Sequence, residues 1–345
     1  MDSNITKNNN FIKEENLKFD ENKTIIEDSL TSLGGYTNSI CVFNSIDNIP
    51  YLIYTNTKNS IICYNIIDKK IINEIKKAHL KEITNYIHCL DKPNKRDLIL
   101  SISAEDNALK IWNINKFELI LEINKVYKFG YLFSASFLIE DKNIFIITSN
   151  CIWNNNSESI KVLDLYGYQI KEINDSKNQT LFIDSFFDST WDKNYIITGN
   201  KGSIKSYDYY HNKLYQNYSD NDNRNHLCVI VKENKYEKII KIFDSCYDGN
   251  IRIWDFHSGQ LLQKIEVTNK NLYGFCLWDD ENILVGCEDK TIKIINIKNC
   301  NSINFLFGHI IRVVSVKNLV IPKYGKFLIS QGAERDNIIL WKNNN

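Results

Sequence analysis

The stretch Asp248-Gly249-Asn250-Ile251-Arg252-Ile253-Trp254-Asp255-Phe256 sets the pattern of the chain. An Asp-Gly turn runs into apolar Ile251 and Ile253, which alternate with Asn250 and Arg252 before a closing Trp-Asp, and this predicts a strand entered from a tight turn. On that alternation Arg252, like the following His257, is expected to face outward. Six other stretches share the pattern: Ser60–Asn65, Ala108–Asn113, Ser159–Asp164, Ser203–Asp208, Thr291–Asn296 and Asn337–Lys342. The position held by Trp254 falls in them on Tyr64, Trp112, Leu163, Tyr207, Ile295 and Trp341, at spacings between 41 and 51 residues.

Between these marks the pattern repeats as well. Each mark is followed by a further strand, such as Lys70–Ile75 or Gln260–Ile265, then a turn and two more apolar runs. Four short strands per period of roughly 40 to 45 residues is the signature of a propeller blade. An all-β chain is therefore predicted, a seven-bladed β-propeller of four-stranded antiparallel blades over 23–345, with residues 1–22, polar and Asn-rich, as a disordered tail. The last unit stops at Trp341 without an outer strand. The spare strand at Lys23–Glu27 is expected to supply it and close the ring.

Composition narrows this without changing it. Isoleucine, with 54 copies, favours pleated strands. Lys plus Arg and Asp plus Glu are equal at 42 each, and the cations are scattered, so no field draws nucleic acid or an anionic membrane and neither partner is expected. Nine cysteines without a Cys-x-x-Cys pair, mostly inside apolar runs, read as reduced, buried thiols of an intracellular protein, cytoplasmic or nuclear. On that reading the Asn155 and Asn217 sequons carry no meaning. No apolar run approaches the roughly 18 to 20 residues that span a bilayer, and a soluble protein is expected.

These marks resemble those of the WD-repeat β-propeller family, over Lys23 to Trp341. Blades of that family open on Gly-His, carry an Asp in the turn before the third strand and end on Trp-Asp. Here His79, Asp106 and Trp112 match, as do His226, Asp248 and Trp254, and then His309 after Gly308, with Asp336 and Trp341. The resemblance implies that each set joins a buried hydrogen-bond network with a strand Ser or Thr, Ser101 or Ser103 in the second blade. Mutual satisfaction of a buried His and Asp is what physics demands. Two further pairs, Trp191-Asp192 and Trp278-Asp279, fall between the first two strands of their units and read as hairpin turns instead.

The resemblance also implies a function class: a noncatalytic scaffold that binds protein or peptide partners on its faces, with no cofactor and no metal. Substrate receptor of a ubiquitin ligase is the alternative, although Trp254-Asp255-Phe256-His257 has His where the family's docking motif has Arg; a propeller-based hydrolase is the weaker one. No Phe-Arg-Arg-Gly loop for phosphoinositides occurs. His88, His211 and His257 have no ligand-spaced neighbours, and Asp244, Asp248, Glu288 and Asp289 read as turn formers and network members rather than as an acid pair. In this fold the segments leading into each inner strand ring one mouth of the channel. They hold Tyr36, Lys81, Glu82, Phe129, Tyr131, Phe182, Tyr273, Ile311 and Arg312, an aromatic rim with charges suited to gripping a peptide. The cluster Tyr207, Tyr209, Tyr210, Tyr215, Tyr218 is a second candidate surface, part of it structural by alternation.

Overall fold

The computed structural model describes residues 19, 23–26, 38–128, 130–151, 160–174 and 180–342, with the side chains of 301–303 excepted. They form seven four-stranded antiparallel sheets, and among the described residues there is no helix. The innermost strands are Cys41–Asn44, Asn85–Asp91, Tyr131–Glu140, Thr180–Asp188, His226–Asn234, Leu272–Leu277 and Val313–Ile321. Each touches the innermost strand of the next sheet and the seventh touches the first, so the sheets close into a seven-bladed ring. Every residue marked by the repeat, from Tyr64 to Trp341, lies in the third strand of its blade. In blades 1 to 6 the pairing with the outermost strand shifts register at that residue, for example between Ile111 and Trp112 or Ile253 and Trp254. The bulge lets a bulky side chain turn into the blade interface while the sheet keeps its twist.

Blade 7 takes its outermost strand from the other end of the chain. Thr24–Ile26 pairs antiparallel with Ile338–Lys342, Thr24 opposite Leu340. Lys23 Nζ donates to the Phe307 carbonyl at 2.8 Å and lies 4.9 Å from the Trp341 ring centroid. Of the expected tail, the described residue is Phe19. It packs edge-on against Trp278 of blade 6 at 5.2 Å and joins the apolar cluster between blades 6 and 7.

The core is not one mass but seven apolar layers, one between each pair of neighbouring blades, with the seventh joining blades 7 and 1. Second and third strands are therefore covered on both faces. An eighth cluster gathers Cys151, Leu181, Leu227, Tyr273, Val314 and Ala333 from blades 3 to 7. Its members sit at the ends of strands that ring the axis, so it lies at one mouth of the channel.

The up-and-down strand order sorts the loops. Turns joining innermost to second strands and third to outermost strands share one face, the turn face. Turns joining second to third strands share the other with the crossings from blade to blade, the connection face.

Candidate interaction faces

The rim expected from the sequence lies on the connection face, and the structure divides it. Lys81 is exposed, its Nζ 3.9 Å from Glu105, and Tyr131 is 46% exposed. Glu82 is half-buried, its carboxyl pushed up by burial and by Glu105. Tyr273 belongs to the axial cluster, where half-buried Arg312 lies 6.0 Å from its ring centroid and Ile311 packs alongside. Phe182 is core between blades 4 and 5. Tyr36 and Phe129 lie outside the described residues. Apolar side chains of the protein itself thus fill the mouth around Tyr273, and Tyr273 and Phe182 are corrected from rim to core.

The turn face presents aromatic residues more densely. Tyr166 and Tyr168 of blade 3, Trp191 and Tyr210 of blade 4, and Tyr236 of blade 5 are 81%, 73%, 49%, 43% and 100% exposed. Each stands in a turn tied by an Asx residue. Asp164 Oδ1 accepts the amides of Tyr166 and Tyr168 at 2.9 and 2.8 Å. Asp188 Oδ1 accepts that of Trp191 at 3.2 Å, Asp208 Oδ1 that of Tyr210 at 2.9 Å, and Asn234 Oδ1 that of Tyr236 at 3.1 Å. A side-chain acceptor that caps its own turn fixes the backbone. The backbone that carries each aromatic side chain is thereby ordered within its turn.

Cross-blade bonds tie these turns together. Lys171 Nζ of blade 3 donates to the Tyr209 carbonyl of blade 4 at 3.1 Å and sits over its ring. Ser189 Oγ of blade 4 donates to Glu233 of blade 5 at 2.6 Å, and Trp191 stacks on His257 of blade 5 at 4.1 Å. His257 is no free outward residue, because Tyr215 Oη lies 2.9 Å from its Nδ1 and Asp188 Oδ2 lies 3.4 Å from its Nε2. In the tyrosine cluster Tyr207, Tyr209 and Tyr218 are buried, Tyr215 is half-buried, and Tyr210 reaches solvent.

The three His-Asp-Trp sets differ. In blade 7, His309 Nε2 is 2.8 Å from Ser330 Oγ, which also accepts Trp341 Nε1 at 2.9 Å, while His309 Nδ1 lies 3.2 Å from Asp336 Oδ2. In blade 2, Ser101 rather than Ser103 joins His79 Nε2 at 2.9 Å to Trp112 Nε1 at 2.8 Å. Asp106 does not reach His79. Its Oδ2 accepts the amide of Lys81 instead, at 2.8 Å, and His79 Nδ1 has no partner.

In blade 5 the expected network does not form. The strand register opposes Trp112 to Ile99, Trp341 to Leu328 and Trp254 to Ile242, so the site of Ser101 and Ser330 is held here by Asp244. His226 is out of phase too. It is the first residue of its innermost strand, whereas His79 and His309 precede theirs. Trp254 Nε1 is left buried without a partner. Asp248 bonds Arg252 instead, through Nη1 at 3.1 Å and through Nη2. Arg252 is wholly buried, a correction to its expected outward position, with Nε donating to Asp220 Oδ2 at 2.9 Å and Nη2 3.0 Å from Asp222 Oδ2. His226 Nδ1 lies 2.7 Å from Asp244 Oδ2 and Nε2 lies 3.2 Å from Asp222 Oδ2. Burial opposes the imidazolium, but Asp244 and Asp222 outweigh it and raise His226 to about 10. Burial likewise opposes the Asp248 carboxylate, and Arg252 and Asn250 hold it down at about 2. A buried cation left alone would be far costlier than one so paired.

No protein-family model and no curated protein matches the chain. Asp220, Asp222 and Cys246 were not singled out by sequence reasoning. The available signal was the acidic run Ser219-Asp220-Asn221-Asp222 just before His226, which reads as a solvated loop until Arg252 is known to point inward.

Proposed function

We propose that this chain is a noncatalytic propeller of the WD-repeat type, a scaffold that binds a protein or peptide partner on the turn face of blades 3 to 5. The supporting observation is the set of Asx-tied turns from three adjacent blades, each holding an exposed Tyr or Trp. Rigid aromatic side chains are the residues that dominate interface energetics. The ring supplies a stiff base and the turns supply the contacts. Partner capture followed by quantitative mass spectrometry tests this, comparing wild type with Tyr166→Ser/Trp191→Ser/Tyr236→Ser and with Lys81→Ser/Tyr131→Ser on the connection face. Loss of the wild-type interactors from the first variant alone is expected. Loss from the second alone would move the binding face to the opposite side.

A further inference from the structure

The charged cluster at the connection end of blade 5 holds more than an ion pair requires. Four carboxylates, Asp220, Asp222, Asp244 and Asp248, face two permanent cations, Arg252 and Lys264, and Lys264 Nζ donates to Asp220 at 2.8 Å. Those groups leave a surplus of two negative charges around the imidazole of His226 and the thiol of Cys246. We propose that Asp222, His226 and Cys246 form a binding site for a divalent transition metal of the zinc class.

The geometry carries the proposal. A carboxylate oxygen of Asp222, a ring nitrogen of His226 and the Cys246 sulfur lie within 4.8 Å of one another. The O, N, S donor set is one that zinc and its neighbours accept, and three protein ligands leave a fourth position for water. His226 and Cys246 are directly opposed across the first two strands of blade 5, so two ligands come from a rigid ladder, while Asp222 comes from the loop four residues before His226. Asp244 holds the Nδ1 side of His226 at 2.7 Å, which turns Nε2 toward Asp222. A carboxylate behind a ligating histidine is the usual orienting partner at zinc sites. His226 is fully buried, and although Nε2 and Asp222 Oδ2 are 3.2 Å apart, neither forms an aligned hydrogen bond. Arg252 has Asp248 and Asp220 as further partners, and its Nη2 lies 3.0 Å from Asp222 Oδ2, a contact that a bound ion would have to share or displace. Binding displaces one proton from the His226 imidazolium and one from the Cys246 thiol, so metal uptake releases two protons.

Co2+ added to the full chain in a Cys300→Ser background, which removes the exposed thiol, tests the site. A thiolate-to-cobalt absorption band is expected, displaced by Zn2+, with Zn2+ raising the thermal midpoint by several degrees over the EDTA-treated protein. Cys246→Ser and, separately, Asp222→Asn should each weaken Co2+ at least about tenfold, as loss of one ligand does, and Cys246→Ser should abolish the band. Cys276→Ser, at a buried thiol elsewhere, should change neither. Absence of the band in the Cys300→Ser protein, or its survival in Cys246→Ser, would overturn the proposal and leave His226 as an imidazolium between two carboxylates. Asp222→Asn keeps both ligand strands intact, so its result stands even if Cys246→Ser proves too unstable to purify.

Discussion

At the scale of single residues, equivalent positions do unequal work. Trp254 and Trp341 occupy the same site in their blades, yet the indole N–H of Trp341 is bonded to Ser330 and that of Trp254 to nothing. Trp254→Ala should cost about 3 to 5 kcal/mol, because the ring is core. Trp341→Phe should cost about 1 kcal/mol more than Trp254→Phe, the worth of one buried hydrogen bond, read from urea midpoints. His79 gives a second contrast. Burial, then Lys110, lowers it to about 3, against an ordinary value of 6.5. The unfolded chain therefore takes up a proton that the folded chain refuses. Stability at this site is whole above pH 6.5 and is lost as pH falls toward 3, at up to ~1.4 kcal/mol per unit. His79→Gln should flatten the pH dependence of unfolding free energy in that window by about one proton; an unchanged slope would mean that His79 protonates in the folded state. Gly249 is constrained by shape, since its φ is +82° and a Cβ would stand 1.8 Å from the Thr268 carbonyl oxygen. The Asp-Gly turn was legible in the sequence; the neighbouring carbonyl that forbids a side chain was not.

At the scale of elements, the repeat phase predicts strand identity well because each strand carries its own turn and its own marked residue. The closing strand was legible for the same reason: Thr24–Ile26 is an orphan at one end and blade 7 lacks a strand at the other. Its reach was not, because Phe19 shows its purpose only beside Trp278, a residue of a hairpin turn in blade 6. Deleting residues 1–30 should lower the unfolding temperature sharply. Deleting 1–20 should have a smaller but measurable effect, matched by Phe19→Ala at about 1 to 2 kcal/mol through lost burial and ring contact. A silent Phe19→Ala would detach that segment from blade 6. The alternation rule failed at Arg252 because it applies to a sheet with one wet face. A third strand between two neighbouring blades has none, so its polar positions must be paired inside, and Asp220, Asp222 and Asp248 pair this one.

At the scale of the whole molecule, seven apolar layers hold the ring and leave the turns free to differ. On the proposed function, stability and recognition are thereby separable. Tyr166→Ser with Tyr236→Ser, both at well-exposed positions, should shift unfolding free energy by no more than about 0.5 kcal/mol each while weakening partner capture. A large loss of stability would show that these rings pack in solution. The sequence by itself determined the number of blades, the strand that bears each repeat mark and the closure of the ring, because these depend on periodicity, which is local and repeated. Only the tertiary structure decided which polar residues are buried, that Tyr273 and Phe182 of the expected rim are packed inside, and that Tyr166, Trp191, Tyr210 and Tyr236 share one face. Those outcomes depend on what a neighbouring blade places within a few ångströms, and that neighbour lies some forty residues away in the chain.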